Sequence, residues 1–184
     1  MICTKLFSKS LKAMTINRKA ILLSGGKGTR LYPSTMAISK HLIPIYDKPL
    51  IYYPLSLIML TGIKDILLIT TERDINSYKN LLGNGSQWGI DIEYKIQENP
   101  NGIADALLLA EDYLDGAPSL LLLGDNIFYG NNLQNKLKKI NEIKNGAYIL
   151  SYYVQDPNRY GVIEYDNNDK IKSIEEKPIK AKSN

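Results

Sequence analysis

Ala20-Ile21-Leu22-Leu23-Ser24-Gly25-Gly26-Lys27-Gly28-Thr29-Arg30-Leu31 is the stretch that decides how this chain is read. Its apolar run ends abruptly at glycine, as a strand buried on both faces would. The glycines let the backbone turn sharply and bring its N–H groups close to a ligand. Lys27 and Arg30 add positive charge, and the combination suits phosphate. The turn is not a P-loop, because no Gly-Lys-Ser/Thr closes it. Nor is it the dinucleotide fingerprint, because Leu31 stands where a third glycine belongs.

Downstream the same alternation repeats. Tyr52 to Leu60 reads as a helix with Tyr53, Leu57 and Leu60 on one face, Pro54 in its first turn and Gly62 as its stop. Asp65 to Thr71 reads as a second buried strand, and Asp74 to Leu82 as a polar helix with Asp74 as a cap. Ile92 to Gln97 alternates like a strand, and Gly102 to Leu114 is a helix rich in Ala and Leu. Ser119-Leu120-Leu121-Leu122-Leu123-Gly124 is the most emphatic buried strand. A helix over Leu133 to Lys144 follows, then strands at Ala147 to Val154, Gly161 to Tyr165 and Ile171 to Glu175, the last two joined by a turn at Asp166 to Asp169. Alternating strands and helices with short connections predict an α/β fold, an open and mostly parallel doubly wound sheet. Such sheets bind ligands at the carboxyl ends of their strands. The residues after Leu23, Thr70, Ile96 and Leu123 are therefore the ones to examine.

Composition narrows the class. With 184 residues and 44% hydrophobic content, the chain has ordinary globular make-up. The lone Cys3 excludes an internal disulfide and points to a reducing compartment, here the cytoplasm. No apolar run reaches the ~18–20 residues of a membrane span. The net charge of +4 is uneven: no acid precedes Asp47, while eight lysines and arginines do. Residues 1–17 are expected to be a basic, unstructured extension, with a start at Met14 as one alternative. A transit peptide fits less well, since no arginine precedes Arg18 and no cleavage signal is recognisable. Residues 18–184 are expected to form the globular domain. Lys40 has no acid nearby in sequence, so with Lys27 and Arg30 it suggests a site for something polyanionic.

Asp125 follows the Leu-rich strand directly. A carboxylate there suits one ligand of Mg²⁺, which takes one or two carboxylates and leaves its other positions to water and phosphate. It could equally shape a turn. His41, the only histidine, reads as structural. Tyr52, Tyr53, Tyr152 and Tyr153 read as packing residues with one edge wet. Nothing resembles a nucleic-acid-binding module.

Leu22 to Pro33 resembles the signature of sugar-phosphate nucleotidylyltransferases. Ser39 to Ser56, with its Lys40-His41-Leu42-Ile43-Pro44 and Tyr46-Asp47-Lys48-Pro49, narrows the likeness to the glucose-1-phosphate thymidylyltransferase branch. Gly83 to Gly89, Leu123 to Gly130, Asp156 to Val162 and Glu175 to Pro178 match in order. The resemblance runs from about Arg18 to Asn184 and implies a Rossmann-like nucleotidyltransferase fold that joins dTTP to glucose 1-phosphate, giving dTDP-glucose and pyrophosphate. It implies a place in dTDP-rhamnose-type deoxysugar and surface polysaccharide synthesis, and a homo-oligomer. Leu23, Gly25 and Gly26 would lie against the nucleotide. Arg30 would stabilise the departing pyrophosphate, and Lys40 the phosphoryl group under attack. Gln97 and the backbone of Gly102 would read the thymine edge, and Asp125 would bind Mg²⁺. Tyr160, Gly161, Glu176 and Lys177 would hold the sugar and its phosphate.

Alternatives are a uridylyl- or cytidylyltransferase, or a non-catalytic nucleotide-binding fragment. Four departures stand out. Ser24 replaces Ala, His41 stands where Gln is common, and Asp105 replaces a Gln near the base pocket. Family members also continue beyond the position of Asn184 and supply a second metal-binding Asp there. The chain as given is therefore expected to lack the C-terminal part of the family fold, to bind nucleotide poorly and to turn over slowly or not at all.

Overall fold

Three apolar runs and the alternating stretch from Ile92 become the four strands of one parallel sheet. The structure, a computed structural model, describes residues 17–26, 28–99, 102–143, 145–168 and 170–183. The expected extension over 1–17 lies outside the described residues apart from Asn17, and so does Lys27. The chain separates into two compact units, one up to Asn145 and one over Gly146–Asn184.

In the first unit, β1 (Lys19–Leu23) leads through 3-10 turns at Thr29–Leu31 and Lys40–Leu42 to the short ladder of β2 (Pro44–Ile45) and β3 (Lys48–Pro49). Then come α1 (Tyr52–Thr61), β4 (Asp65–Thr70), α2 (Ile75–Leu82), β5 (Asp91–Ile96), α3 (Ile103–Leu109), α4 (Glu111–Leu114), β6 (Ser119–Leu123) and α5 (Leu133–Asn141). The sheet order is β5-β4-β1-β6, every pair parallel. In the central strand Ile21 lies opposite Leu67 on one side and Leu121 on the other.

Alternation along the strands divides the core in two. Ala20, Leu22, Ile66, Leu68, Ile92 and Leu122 pack with Leu55 and Ile58 of α1, Tyr78 and Leu82 of α2 and Leu137 of α5. Ile21, Leu67 and Ile69 pack on the opposite face with Ala106 and Ala110. Helices thus cover both faces, which is why β1 and β4 read as unbroken apolar runs, while β5 and β6 lie at the sheet's edges and are only partly buried. Arg18 ties the entry to this sheet, donating to Asn141 Oδ1 and the Ile143 carbonyl, both at 2.8 Å, and to the Ser119 carbonyl at 3.1 Å.

Strand order positions the site. The chain winds outward from β1 to β4 to β5, then crosses back so that β6 pairs with the other side of β1. Ligands of open α/β sheets bind at such a reversal, and here it brings Ser24-Gly25-Gly26 and Gly124-Asp125 to the carboxyl ends of β1 and β6.

Several expectations change. α1 ends at Gly62, whose φ of 85° takes the left-handed conformation that glycine tolerates. Its buried face, however, is Pro54, Leu55, Leu57, Ile58 and Thr61, and Leu60 is exposed. Asp74 makes no side-chain cap; its carboxylate accepts from the Thr71 hydroxyl at 2.9 Å and from Arg73. The helix expected over Gly102 to Leu114 breaks at Ala110 into α3 and α4.

In the second unit, β7 (Gly161–Tyr165) and β8 (Ile171–Glu176) form an antiparallel hairpin. Asp166 shapes its turn, accepting the Asn168 and Lys170 backbone N–H groups at 2.8 and 2.9 Å. The strand expected over Ala147 to Val154 is absent. Consecutive Tyr148, Ile149 and Leu150 are all exposed, as are Tyr152 and Tyr153, which therefore do not pack as expected. β-propensity makes no strand where no neighbour pairs with the backbone, and none does among the described residues.

Candidate active site

The turn after β1 is held from below by a buried polar layer. Thr70 donates its hydroxyl to the Ser24 carbonyl at 3.2 Å, and the Ser24 N–H donates to the Ile69 carbonyl at 2.8 Å. The Ser39 hydroxyl lies 3.1 Å from His41 Nδ1 and 3.0 Å from the Tyr78 hydroxyl. Ser39, His41 and Tyr78 are all essentially inaccessible to water. Burial pushes the Tyr78 hydroxyl up to about 12, so it stays protonated and available to this chain. Further along the turn, Thr35 donates to the Gly28 carbonyl at 2.7 Å.

Lys40 sits between Ser39 and His41, which fix its backbone from both sides. Its ammonium pairs with Asp125 Oδ2 at the end of β6. The cation that had no acid near it in sequence thus has one 85 positions later. Burial would raise the Asp125 carboxyl, but the hydrogen bond and charge of Lys40 outweigh it and hold the group below the usual carboxylate range. Both side chains keep partial access to solvent, 25% and 35%. Lys40 and Asp125 therefore offer a cation and an anion side by side at the carboxyl end of the sheet. Arg30 lies exposed on the preceding 3-10 turn, with no ion pair or hydrogen bond of its side chain among the described residues.

A second cluster forms where β5 ends. Gln97 is only 3% exposed. It donates to Asp105 Oδ2 at 2.6 Å and, more distantly, to the Gly102 carbonyl at 3.5 Å. A Cβ on Gly25 would lie 3.1 Å from Gln97 Oε1, so the glycine turn and this amide are in near contact. Gly25, Gln97 and Gly102, expected to share the nucleotide, do come together. Leu23 ends β1 with its side chain against the Ile21 face of the core, and Gly26 follows with a φ of 100°.

In the second unit, Tyr160, Gly161, Glu176 and Lys177 meet at the open end of the hairpin. Gly161 is opposite Glu176, and a Cβ on it would lie 3.3 Å from Glu176 Oε2. The Lys177 N–H donates to the Tyr160 carbonyl at 2.9 Å, and its ammonium pairs with Glu176 at 3.3 Å. Among the described residues no group of three or more His, Cys, Asp or Glu could hold a metal by itself.

The family model described as nucleotidyl transferase matches residues 19–184. This chain belongs to the nucleotidyl transferase family. As a nucleotidyl transferase it is 51% identical over 167 residues to the glucose-1-phosphate thymidylyltransferase of Xanthomonas campestris and 50% identical over 165 residues to that of Neisseria meningitidis. The matches take in 91% and 90% of this chain, which spans only 57% of the length of those curated relatives. A Bacillus anthracis structure described as a glucose-1-phosphate thymidylyltransferase in complex with a sucrose superposes with a TM-score of 0.83 at 38% identity, covering 90% of this chain and 67% of that one. A UDP-glucose pyrophosphorylase complexed with UDP-glucose shares the fold, with a TM-score of 0.68 at 24% identity, covering 88% of this chain and 69% of that one. No helix among the described residues is long and apolar enough to cross a membrane.

Sequence reasoning about this nucleotidyl transferase missed the layer beneath the site. Ser39 and Tyr78 are ordinary residues in sequence, and only burial next to His41 makes them partners. Burial, reinforced by the charge of Lys40, pushes His41 down from 6.5 to about 4. The unfolded chain accepts a proton on His41 below pH 6.5, which the folded chain refuses until about pH 4. Stability present above pH 6.5 is therefore lost as pH falls. Between pH 7.5 and 5 this group should cost about 2 kcal/mol. Urea titrations at the two pH values measure the loss, and His41→Gln should flatten it. An equally steep loss in His41→Gln would show that other groups control acid stability.

Proposed function

We propose that the chain transfers a thymidylyl group from dTTP to glucose 1-phosphate, giving dTDP-glucose and pyrophosphate. A phosphate oxygen of the sugar phosphate bonds to the α-phosphorus while the bond from that phosphorus to the departing pyrophosphate breaks. Both reactants are anions, so the protein's task is to hold them together and to offset the charge that develops.

The observation that carries this reading is the Lys40–Asp125 pair beside the glycine turn, at the reversal of strand order. The turn, with Leu23, Gly25 and Gly26, would receive the nucleotide, and Gln97 with the Gly102 backbone would read its base. Lys40 would face the phosphoryl group under attack, and Arg30 the pyrophosphate. Asp125 would hold Mg²⁺: a single, half-exposed carboxylate next to a phosphate-accepting turn is the donor that this ion takes. When bound, the ion would neutralise phosphate charge. Glu176 would accept from sugar hydroxyls and Lys177 would meet the sugar phosphate. We assign the product to dTDP-rhamnose-type deoxysugar and polysaccharide synthesis in the cytoplasm, carried out by a homo-oligomer.

Calorimetric titration with dTTP, UTP and CTP tests the base, and pyrophosphate release with glucose 1-phosphate and Mg²⁺ tests the reaction. dTTP should bind tightest of the three and support release, if only slowly. Equal affinity for all three would sink the thymidine assignment, and tight binding without release would leave a binder rather than an enzyme.

A further inference from the structure

Gln97 is buried, and the nearer of its two acceptors, Asp105, does most to determine which way its amide points. The two ends of a glutamine amide have opposite hydrogen-bonding character, so an unrestrained one can turn over and serve either a donor or an acceptor. A carboxylate only accepts. Asp105 Oδ2, 2.6 Å away, therefore requires the NH₂ end, and the Gly102 carbonyl at 3.5 Å is an acceptor too. Both acceptors draw on the same nitrogen. What remains is Oε1, directed at Gly25. No donor reaches it among the described residues, and it is not among the buried side-chain atoms sealed from water without a partner.

Resting on the nucleotide reading above, we infer that Asp105 is a positioning residue for base selection: it holds the Gln97 amide so that only an acceptor faces the ligand. A base with an imino N–H, as in thymine or uracil, supplies the donor that Oε1 lacks. Cytosine presents a lone pair at that ring position, which would face Oε1 with no proton between them. A buried polar atom left unpaired in this way is the main source of strong discrimination between similar ligands. Asp105 lies in the first turn of α3 and is only partly buried, so its carboxylate can be altered without opening the core. Thymine and uracil differ in a methyl group that this device does not sense, so both should respond alike.

The test is calorimetric titration of the chain, Asp105→Asn and Asp105→Glu with dTTP, UTP and dCTP, with urea midpoints as a check on folding. The unaltered chain should bind dTTP and UTP at least ~10-fold tighter than dCTP. In Asp105→Asn the neighbour can donate as well as accept, so Gln97 can turn over. The preference should then shrink at least ~5-fold, dCTP gaining as dTTP and UTP lose. Asp105→Glu, which keeps an acceptor, should retain it. A merely structural role would lower all three affinities by one factor, and that result overturns the inference. So does an unchanged preference in a folded Asp105→Asn; should that variant not fold, Asp105→Ser makes the same comparison. Binding of all three alike by the unaltered chain defeats base selection while leaving a nucleotide site. Binding of none defeats the nucleotide reading and this inference with it.

Discussion

Asp125→Asn is expected to reduce Mg²⁺-dependent turnover by ~10²–10³-fold while leaving the chain folded. The substitution keeps the side chain's size and removes its charge. A neutral amide is a poor ligand for a hard divalent cation, and it no longer pairs with the Lys40 ammonium. Since the pair is partly open to solvent, the loss of stability should stay within about 1 kcal/mol. Pyrophosphate release measured against MgCl₂ concentration, with a urea midpoint for each protein, separates the alternatives. Metal-dependent turnover that survives in Asp125→Asn would remove the metal role. A large stability loss with ordinary turnover per folded molecule would mean that Asp125 only shapes the turn.

Gly124→Ala should cost about 3 kcal/mol of stability and at least ~10-fold in turnover. Gly124 joins β6 to Asp125, and its N–H donates to the Leu23 carbonyl at 2.8 Å. A Cβ there would run into the Ser24 hydroxyl and lie 2.9 Å from His41 Cδ2 and 3.1 Å from Ile51 Cδ1. All three neighbours are buried and cannot swing aside, so the backbone must shift, and Asp125 shifts with it. The Ser24 hydroxyl has no hydrogen-bond partner among the described residues, so Ser24→Ala alone should be neutral or slightly stabilising. Combined with Gly124→Ala it should recover a large part of the loss, because the nearest obstruction is gone. Additive effects in the double variant, measured by urea unfolding, would place the strain elsewhere.

How much of this was legible in the sequence differs from element to element. The apolar runs at β1 and β4 and the glycine turn were legible because burial on both faces leaves an unbroken apolar signature, and a sharp turn demands glycine; the run at β6 read as the most buried strand, yet at the sheet's edge only Leu122 is buried. Asp125 was legible as a candidate because it follows such a strand directly. The hairpin residues Tyr160, Gly161, Glu176 and Lys177 were found through motif likeness, and their meeting at one end follows from the pairing of β7 with β8. The strand expected over Ala147 to Val154 failed because residue types record a preference, whereas a strand also needs a partner for its backbone.

By itself, the sequence determined the α/β class, the glycine turn and the family, since each depends on residue order within a short window. Only the tertiary structure decided which charges and amides meet. Lys40 finds Asp125 because the return of β6 to the far side of β1 brings two distant loops to one end of the sheet. Gln97 faces Gly25 and turns its NH₂ to Asp105 because β5 ends beside α3. His41 is kept neutral by a core that closes over it. Coulombic and hydrogen-bond energies depend on distance and burial, and neither is a function of separation along the chain.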